Sequence, residues 1–362
     1  MRILHTYCLN YNIGDYYLGI GVKNLLRKYL DVDYIGDTNI QGQEFNEYYI
    51  EQVVNKRYDL LVIGGGGIIH GAHWPNGWFW LIDIDLIIKI KIPFIVYGVG
   101  YNYWIEEKGI PDRGIKHLKE TIKNAAYFSV RNDGSAKRIL EQTKIDAPAI
   151  PDPGFHVNLN ERTARPIDKP YIVIQLANDK PESRFLSLDN RKVFIDHIRE
   201  VVTKLTKDYH VLFAPHVYDD IWLSEQIASG IDNTSVWNFG EYSFDKSELT
   251  LSFYEHAEFA IAMRGHGQII PIAYNVPVIA LENHPKHRGL MEELNLLDYN
   301  VVINDINFKQ NLLTVIQKLK FNKEQLVSQY ESINQTLDLC TKTAFEIIKT
   351  KLYHRTYDNS NH

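Results

Sequence analysis

Short apolar runs, each closed by a loop with Gly or Asp and followed by a helical pattern, recur along this chain of 362 residues. That alternation constrains the fold more than any other feature. Strands separated by helices of this length pair as a parallel sheet covered on both faces. Residues 2–8 read as the first strand. Leu18, Val22, Leu25, Leu26 and Tyr29 follow helical spacing, with Asp15 placed as the N-cap. Residues 59–63 form a buried strand ending at Gly64-Gly65-Gly66-Gly67, and residues 78–89 suit a helix. Residues 93–97 make a strand ending at Gly98-Val99-Gly100, and residues 127–131 make another, followed by a helix over 134–141.

Asp152-Pro153-Gly154 and then residues 163–170 form a polar stretch with several prolines, which marks a domain junction. The alternation then restarts. Strands are expected at residues 171–176, 210–214, 258–263 and 276–281, and helices at 190–205, 222–228, 247–256 and 268–274. Residues 308–352 read as helical throughout. The expected architecture is α/β: two Rossmann-like domains, residues 1–160 and 168–305, facing across a cleft in a GT-B-like manner. A C-terminal helical segment, residues 306–355, is expected to pack back on them.

Composition narrows the function classes. The net charge is -6, so no basic face is implied and a nucleic-acid partner is not expected. Apolar residues make up 45% and charged residues 23%, as in ordinary globular proteins. The apolar stretch over residues 79–92 carries Asp83, Asp85, Lys89 and Lys91, which rules it out as a membrane span. No long apolar run follows the first residues, so they do not read as a signal peptide. Cys8 and Cys340 give neither a disulfide framework nor a thiolate metal site. A cytoplasmic location is expected, with membrane-bound substrates reached from the inner surface of the membrane.

In parallel sheets, ligands sit beyond the carboxyl ends of the strands. The strand over 258–263 runs directly into Arg264-Gly265-His266-Gly267. The strand over 276–281 runs into Glu282-Asn283-His284-Pro285-Lys286. A right-handed crossover places these two ends side by side. In the first domain, Arg131 ends the strand over 127–131 just before a helix. Two arginines, a lysine and a histidine at strand ends suit a small, highly charged anion. Arginine grips a carboxylate or phosphate through paired hydrogen bonds, lysine acts as a compact charge, and histidine exchanges protons near neutral pH. Each also has a structural alternative: an inter-domain ion pair for Arg264, a structural histidine for His266, pairing with Asp133 or capping a helix for Arg131, and a solvated surface position for Lys286.

These residues resemble the polysaccharide pyruvyl transferase family. The resemblance is carried by Ser129-Val130-Arg131-Asn132-Asp133-Gly134-Ser135, by Arg264-x-His266, and by residues 277–286 with their Pro285-Lys286 ending. Asn12-Ile13-Gly14-Asp15 and the glycine run add to it, so it spans roughly residues 10 to 300. Two positions depart from the family pattern. Gly265 stands where the family carries a bulky apolar residue, and Asn283-His284 stands where the family often carries Tyr-Asp. The resemblance implies transfer of the enolpyruvyl group of phosphoenolpyruvate to two sugar hydroxyls as a ketal, with release of phosphate. His266 is then the general acid that protonates the methylene carbon, and Arg131, Arg264 and Lys286 hold the donor. The first domain becomes the acceptor side and the second the donor side. The acceptor is expected to be galactose in a lipid-linked oligosaccharide, with peripheral membrane contact. No cofactor or metal is required.

Other residues are candidates for the acceptor or the cleft lining. Asn12 and Asp15 are placed to meet acceptor hydroxyls. Gly65 and Gly66 read as a tight turn that lets substrate approach the backbone, or as a phosphate cradle at a helix N-terminus. His70, His73, Trp74 and Trp78 form an aromatic loop suited to sugar stacking, with core packing as the alternative. Ser183, Arg184 and the loop from His216 to Asp220 follow strands of the second domain. Two other functions compete. In a nucleotide-sugar glycosyltransferase, Glu282 would bind the ribose. A non-catalytic carbohydrate-binding protein would use the tryptophan loop. A nicotinamide dehydrogenase is disfavoured, because the glycine fingerprint is absent.

Overall fold

The computed structural model describes residues 1–9, 12–72, 74–102, 109–157, 165–237 and 252–359. The chain divides into two compact units. Unit 1 holds residues 1–10, 18–157 and 336–362, and unit 2 holds residues 11–17 and 158–335. The chain therefore changes unit within the helix Ile13–Tyr29 and again within the helix Lys323–Asn359. Residues 306–355, expected as one segment, are shared between the units, with the change at residue 336.

In unit 1, strands β1 (Arg2–Tyr7), β2 (Tyr34–Asn39), β3 (Leu60–Ile69), β4 (Phe94–Tyr101), β5 (Tyr127–Arg131) and β6 (Ala149–Ile150) form one parallel sheet. Their order is β2-β1-β3-β4-β5-β6. Side chains alternate between its faces. Leu4, Leu61, Ile63 and Val96 enter one apolar cluster, and Ile3, Leu60, Val62 and Ile95 enter the other. The second cluster is closed by Leu18, Val22 and Leu25 of the helix Ile13–Tyr29 and by Phe345 and Ile348 of the C-terminal helix. Full burial of each such side chain contributes roughly 1.5–3 kcal/mol, and this is what docks the two helices.

Three local expectations are corrected here. The run Gly64-Gly65-Gly66-Gly67 is not a loop at a strand end. It lies inside β3, and β4 likewise continues through Gly98-Val99-Gly100. The pairing of β3 with β4 shifts register between Gly66 and Ile69, and Gly64 and Gly66 have φ of 119° and 92°. Only glycine adopts such angles without strain, so the run is a bulged, tightly covered piece of sheet. Residues 78–89 are not one helix. Trp78 bridges back to Ile69, the Phe79 amide donates to Ile68 O at 2.9 Å, and only Ile84–Lys89 coils, as a 3-10 helix. Asn76 enforces this extended return by donating to the carbonyls of Trp80 and Ile82 at 3.2 and 2.7 Å. Finally, Asp15 is not the N-cap of the first helix. Asn12 Oδ1 accepts from the Gly14 amide at 2.9 Å, so Asn12 caps and Asp15 lies in the first turn.

In unit 2, strands β7 (Tyr171–Gln175), β8 (His210–Phe213), β9 (Thr234–Val236), β10 (Ala260–Ala262), β11 (Val278–Glu282) and β12 (Asn300–Val302) are again parallel. Their order is β12-β11-β10-β7-β8-β9. The chain builds outward from β7 in one direction and from β10 in the other. The boundary between β7 and β10 is thus the topological switch point, where two crossovers diverge and leave a crevice at the carboxyl ends. The expected helix over 247–256 begins outside the described residues, as do parts of the expected junction over 163–170. Among the described residues, no helix is long and apolar enough to cross a membrane.

Candidate active site

The switch point of unit 2 is occupied by Arg264 and His266. After β10 the chain reaches Arg264 in an extended conformation, as the N-cap residue of the helix Gly265–Ala273. The helix starts earlier than expected and takes Gly265-His266-Gly267 into its first turn. The reason lies at Gly267, where a Cβ would lie 3.0 Å from Ala262 Cβ and 3.2 Å from the Gln175 side chain. Glycine there lets the first turn settle on the sheet. A Cβ on Gly265 would meet no atom within 4 Å, so close packing does not require glycine there.

Arg264 is not a loose cation. Its backbone amide donates to Gln175 Oε1 at 2.8 Å. Its Nε and Nη2 donate to the two oxygens of Asp220 at 2.7 and 2.6 Å, and Nη2 also meets Asp179 Oδ1. Asp220 is fully buried in the first turn of the helix Tyr218–Ala228. It also accepts from the backbone amides of Asn178, His216 and Val217 at 3.0, 3.1 and 3.2 Å. One carboxylate thus ties the loops after β7 and β8 to the arginine after β10. Burial alone would lower the pKa of Arg264, but the charges of Asp220 and Asp179 outweigh it and raise that pKa. Among the described residues, Nη1 has no hydrogen-bond partner.

Arg184, from the short helix Pro181–Phe185, joins the same network. Its Nη2 donates to both oxygens of Asp179 at 2.9 Å, and Nη1 donates to Asn283 Oδ1. Asn283 in turn donates to Met263 O at 2.8 Å and Leu281 O at 2.9 Å. The strand ends of β7, β10 and β11 are therefore joined by side chains, of which Arg184 and Asn283 are buried and Asp179 is partly exposed.

His266 is buried in the first turn of its helix. The capped start of the helix Ile13–Tyr29 is seated against it. A Cβ on Gly14 would lie 2.8 Å from His266 Cγ and closer still to Nδ1. The Ile13 amide donates to His216 O at 3.0 Å, which anchors that turn. His216 itself is fully buried and bonded through Nε2 to Tyr254 Oη at 2.8 Å. Burial, and then the nearby Arg264 and His266, hold its imidazole well below its ordinary pKa, so it stays neutral. Two helix N-termini, at Ile13 and Gly265, thus converge at one imidazole. Both offer partial positive charge to an anion. Lys286 lies on the neighbouring strand end, half-buried in the first turn of the helix Pro285–Glu293, and its amide donates to His284 Nδ1 at 3.2 Å.

The structure brings Asn12, Asp15, His216, Arg264, His266 and Lys286 into unit 2, and places Arg131, Gly65, Gly66, His70 and Trp74 in unit 1. Arg131 takes the structural alternative. Its Nε donates to Asp133 at 2.7 Å and its Nη1 to Asp152 at 3.0 Å, in a site with little exposure. A Cβ on Gly100 would lie 2.7 Å from its Cζ, so glycine makes room for this pairing. Arg131 thus makes the pairing with Asp133 named as its alternative, with its charge balanced by two carboxylates, as that of Arg264 is by Asp220 and Asp179.

Gly65 and Gly66 lie within β3 with no helix N-terminus to cradle a phosphate, and a Cβ on Gly65 would collide with Leu18. Trp78 is fully buried and donates to His117 Nδ1 at 2.9 Å, so it is core and offers no sugar platform. Trp74 packs on Phe79 at 4.5 Å and His70 stacks on the same ring at 4.3 Å, both partly buried. His73 lies outside the described residues.

Sequence reasoning missed Gln175, Asp179 and Tyr254 as parts of the site, and gave Asp220 no role of its own. Asp220 belonged to the loop it singled out, but an acid in a first helical turn reads as a dipole partner. Only the fold turns that acid toward an arginine forty-four residues away.

Over nearly its whole length the chain is similar in fold to solved structures. It is similar to S. aureus MnaA solved with UDP, at 14% identity and a TM-score of 0.53, covering 91% of this chain and 90% of that one. It is similar to UDP-GlcNAc 2-epimerase from Methanocaldococcus jannaschii, at 13% identity and a TM-score of 0.54, covering 88% and 92%. It is also similar to the glycosyltransferase SnogD from Streptomyces nogalater, at 12% identity and a TM-score of 0.50, covering 97% and 99%. At such identities the likeness shows a shared GT-B-like fold of two Rossmann-like units. No curated protein matches the chain. The family model for polysaccharide pyruvyl transferase, however, matches residues 12–285, from the Asn12 cap to Pro285. The chain belongs to the polysaccharide pyruvyl transferase family, whose members are pyruvyltransferases.

Proposed function

We propose that this protein transfers the enolpyruvyl group of phosphoenolpyruvate onto two hydroxyls of a sugar in a polysaccharide precursor, forming a pyruvate ketal and releasing phosphate. The observation that carries this is Arg264 and His266 together at the switch point of unit 2, beneath two helix N-termini. The donor is a compact molecule with a carboxylate and a phosphate. Arg264 and Lys286 bind its anionic ends through charge-assisted hydrogen bonds.

His266 supplies the proton to the methylene carbon. Positive charge then develops at the adjacent carbon, and a sugar hydroxyl adds there. The carbon–oxygen bond to phosphate breaks, the phosphate leaves with the bonding pair, and the second hydroxyl closes the ketal. No cofactor is needed, because phosphoenolpyruvate carries the reactive group. Galactose is the first acceptor to test, free or in a lipid-linked oligosaccharide at the cytoplasmic face of the membrane.

The competing reading, a nucleotide-sugar glycosyltransferase, needs Glu282 for a ribose. Glu282 accepts from Asn300 and faces Arg288 at 3.7 Å, so its carboxylate is already engaged. The test is incubation with phosphoenolpyruvate and a panel of galactosides, mannosamines and glucosides. Phosphate release matched by a gain of one pyruvate less water on the sugar is expected. Turnover with nucleotide sugars and none with phosphoenolpyruvate would overturn the proposal. His266→Gln is expected to abolish turnover while keeping donor binding.

A further inference from the structure

We infer that Arg184 and Arg264 form a shared two-guanidinium seat for a phosphate or carboxylate group, and that Asp179 fills this seat as an internal stand-in that the ligand displaces. Only the identity of the donor rests on the function proposed above; the seat itself follows from the geometry.

Two carboxylates serve these arginines, and they differ in kind. Asp220 is fully buried and held by three backbone amides as well as by Arg264, so it is a fixed part of the fold. Asp179 has a side chain 35% exposed, against 6% for Arg184 and 11% for Arg264. Among the described residues, its carboxylate is held by nothing but the two guanidiniums. Arg184 meets it with one nitrogen to two oxygens, and Arg264 meets one of those same oxygens. Both guanidiniums thus converge on one carboxylate, the kind of anion that arginines bind through charge-assisted hydrogen bonds.

Electrostatics requires an anion at this point. Burial, and then the nearby charge of Arg264, lower the pKa of Arg184, which shows that the two cations destabilise each other. The same pair overcomes the burial of Asp179 and holds its carboxyl well below the usual carboxylate range. Asp220 balances Arg264. Asp179 is the carboxylate that Arg184 hydrogen-bonds, so removing it leaves the two arginines with Asp220 between them and a net positive charge. That charge stands at the β7/β10 switch point, beside the helix N-terminus at Gly265.

The backbone around Asp179 fits a segment able to leave. Lys180 and Leu186 bracket the short helix Pro181–Phe185 at φ of 50° and 63°, in the left-handed region that disfavours side chains such as leucine. An anion entering the seat takes over both arginines, and Asp179 turns outward into solvent.

The inference predicts the sign of one substitution. If Asp179 competes with the ligand, Asp179→Asn removes the competitor and anions bind more tightly. If Asp179 instead holds the arginines for the ligand, the same change weakens binding. Inorganic phosphate and pyruvate are to be titrated separately by calorimetry into the wild-type protein, D179N, D179S and the double variant D179N/R184Q, each checked for folding by circular dichroism. About a tenfold gain in affinity is expected for at least one anion in D179N and D179S, because the cost of displacing the internal anion is removed. The gain should vanish in D179N/R184Q. A gain for phosphate alone assigns the seat to the phosphate end of the donor, and a gain for pyruvate alone assigns it to the carboxylate end. Unchanged or weaker binding of both anions in D179N and D179S, or a gain that survives loss of Arg184, would overturn the inference. These readouts need no turnover, so they stand apart from the test with phosphoenolpyruvate.

Discussion

Asp220→Ala removes the residue on which most of the unit 2 site depends. The carboxylate accepts from Arg264 Nε and Nη2 at 2.7 and 2.6 Å, a two-pronged, charge-assisted pair with no exposed surface on the acid. Breaking a buried pair from one side costs roughly 3–5 kcal/mol, because the remaining charge loses its partner. The backbone amides of Asn178, His216 and Val217 lose their acceptor in the same step. Each would add about 1–3 kcal/mol if it stayed dry, but water entering the space left by the side chain recovers much of this. The net expectation is a loss of about 4 kcal/mol, a large part of the roughly 5–15 kcal/mol that holds an ordinary protein folded. Asp220→Asn keeps the shape and one acceptor oxygen but not the charge, and about half that loss is expected. The assay is urea denaturation of both variants followed by circular dichroism. A loss below about 1 kcal/mol in D220A would refute the buried-pair description. Equal losses in D220A and D220N would show that charge alone, not the lost acceptors, sets the cost.

Two further outcomes are expected. Gly14→Ala places a methyl group against the His266 ring, so turnover in the pyruvyl transfer assay should fall about 100-fold, the usual cost of displacing a reacting group by an ångström, while the circular dichroism spectrum is kept. Wild-type turnover in that variant would remove the helix start from the site. The second concerns pH. Burial holds His5, His117 and His156 down to about 4, below the ordinary 6.5. Below 6.5 the unfolded chain takes up protons that the native state refuses. Stability is therefore complete above 6.5 and lost as pH falls toward 4, by up to about 1.4 kcal/mol per pH unit for each histidine. Urea midpoints at pH 7 and pH 5 test this, and an unchanged midpoint would refute it.

The elements legible in the sequence were those buried on both faces. Residues 59–63, 127–131 and 171–176 are near-continuous apolar runs because each strand sits inside a sheet with helices above and below it. The strands with no sequence signal were β2, β6, β9 and β12, which are the four edges of the two sheets. An edge strand has one open side and needs less apolar surface, so Tyr34–Asn39 reads as a polar loop. The glycine run misled for a related reason. Glycine permits a turn and also permits a bulge under a helix, and only the position of Leu18 against Gly65 decides between them.

By itself the sequence determined the class of fold, the positions of Arg264, His266 and Lys286 at strand ends, and the family to which the chain belongs. These follow from local pattern, since a strand end lies where an apolar run stops. Tertiary structure alone decided which cations have partners. Arg131 and Arg264 carry the same side chain in similar strand-end settings. Arg131 is paired with Asp133 and Asp152, and Arg264 with Asp220 and Asp179. Ion pairing depends on distance in space. The chain brings Asp179 and Asp220 to Arg264 across eighty-five and forty-four positions, a closeness that no local pattern encodes.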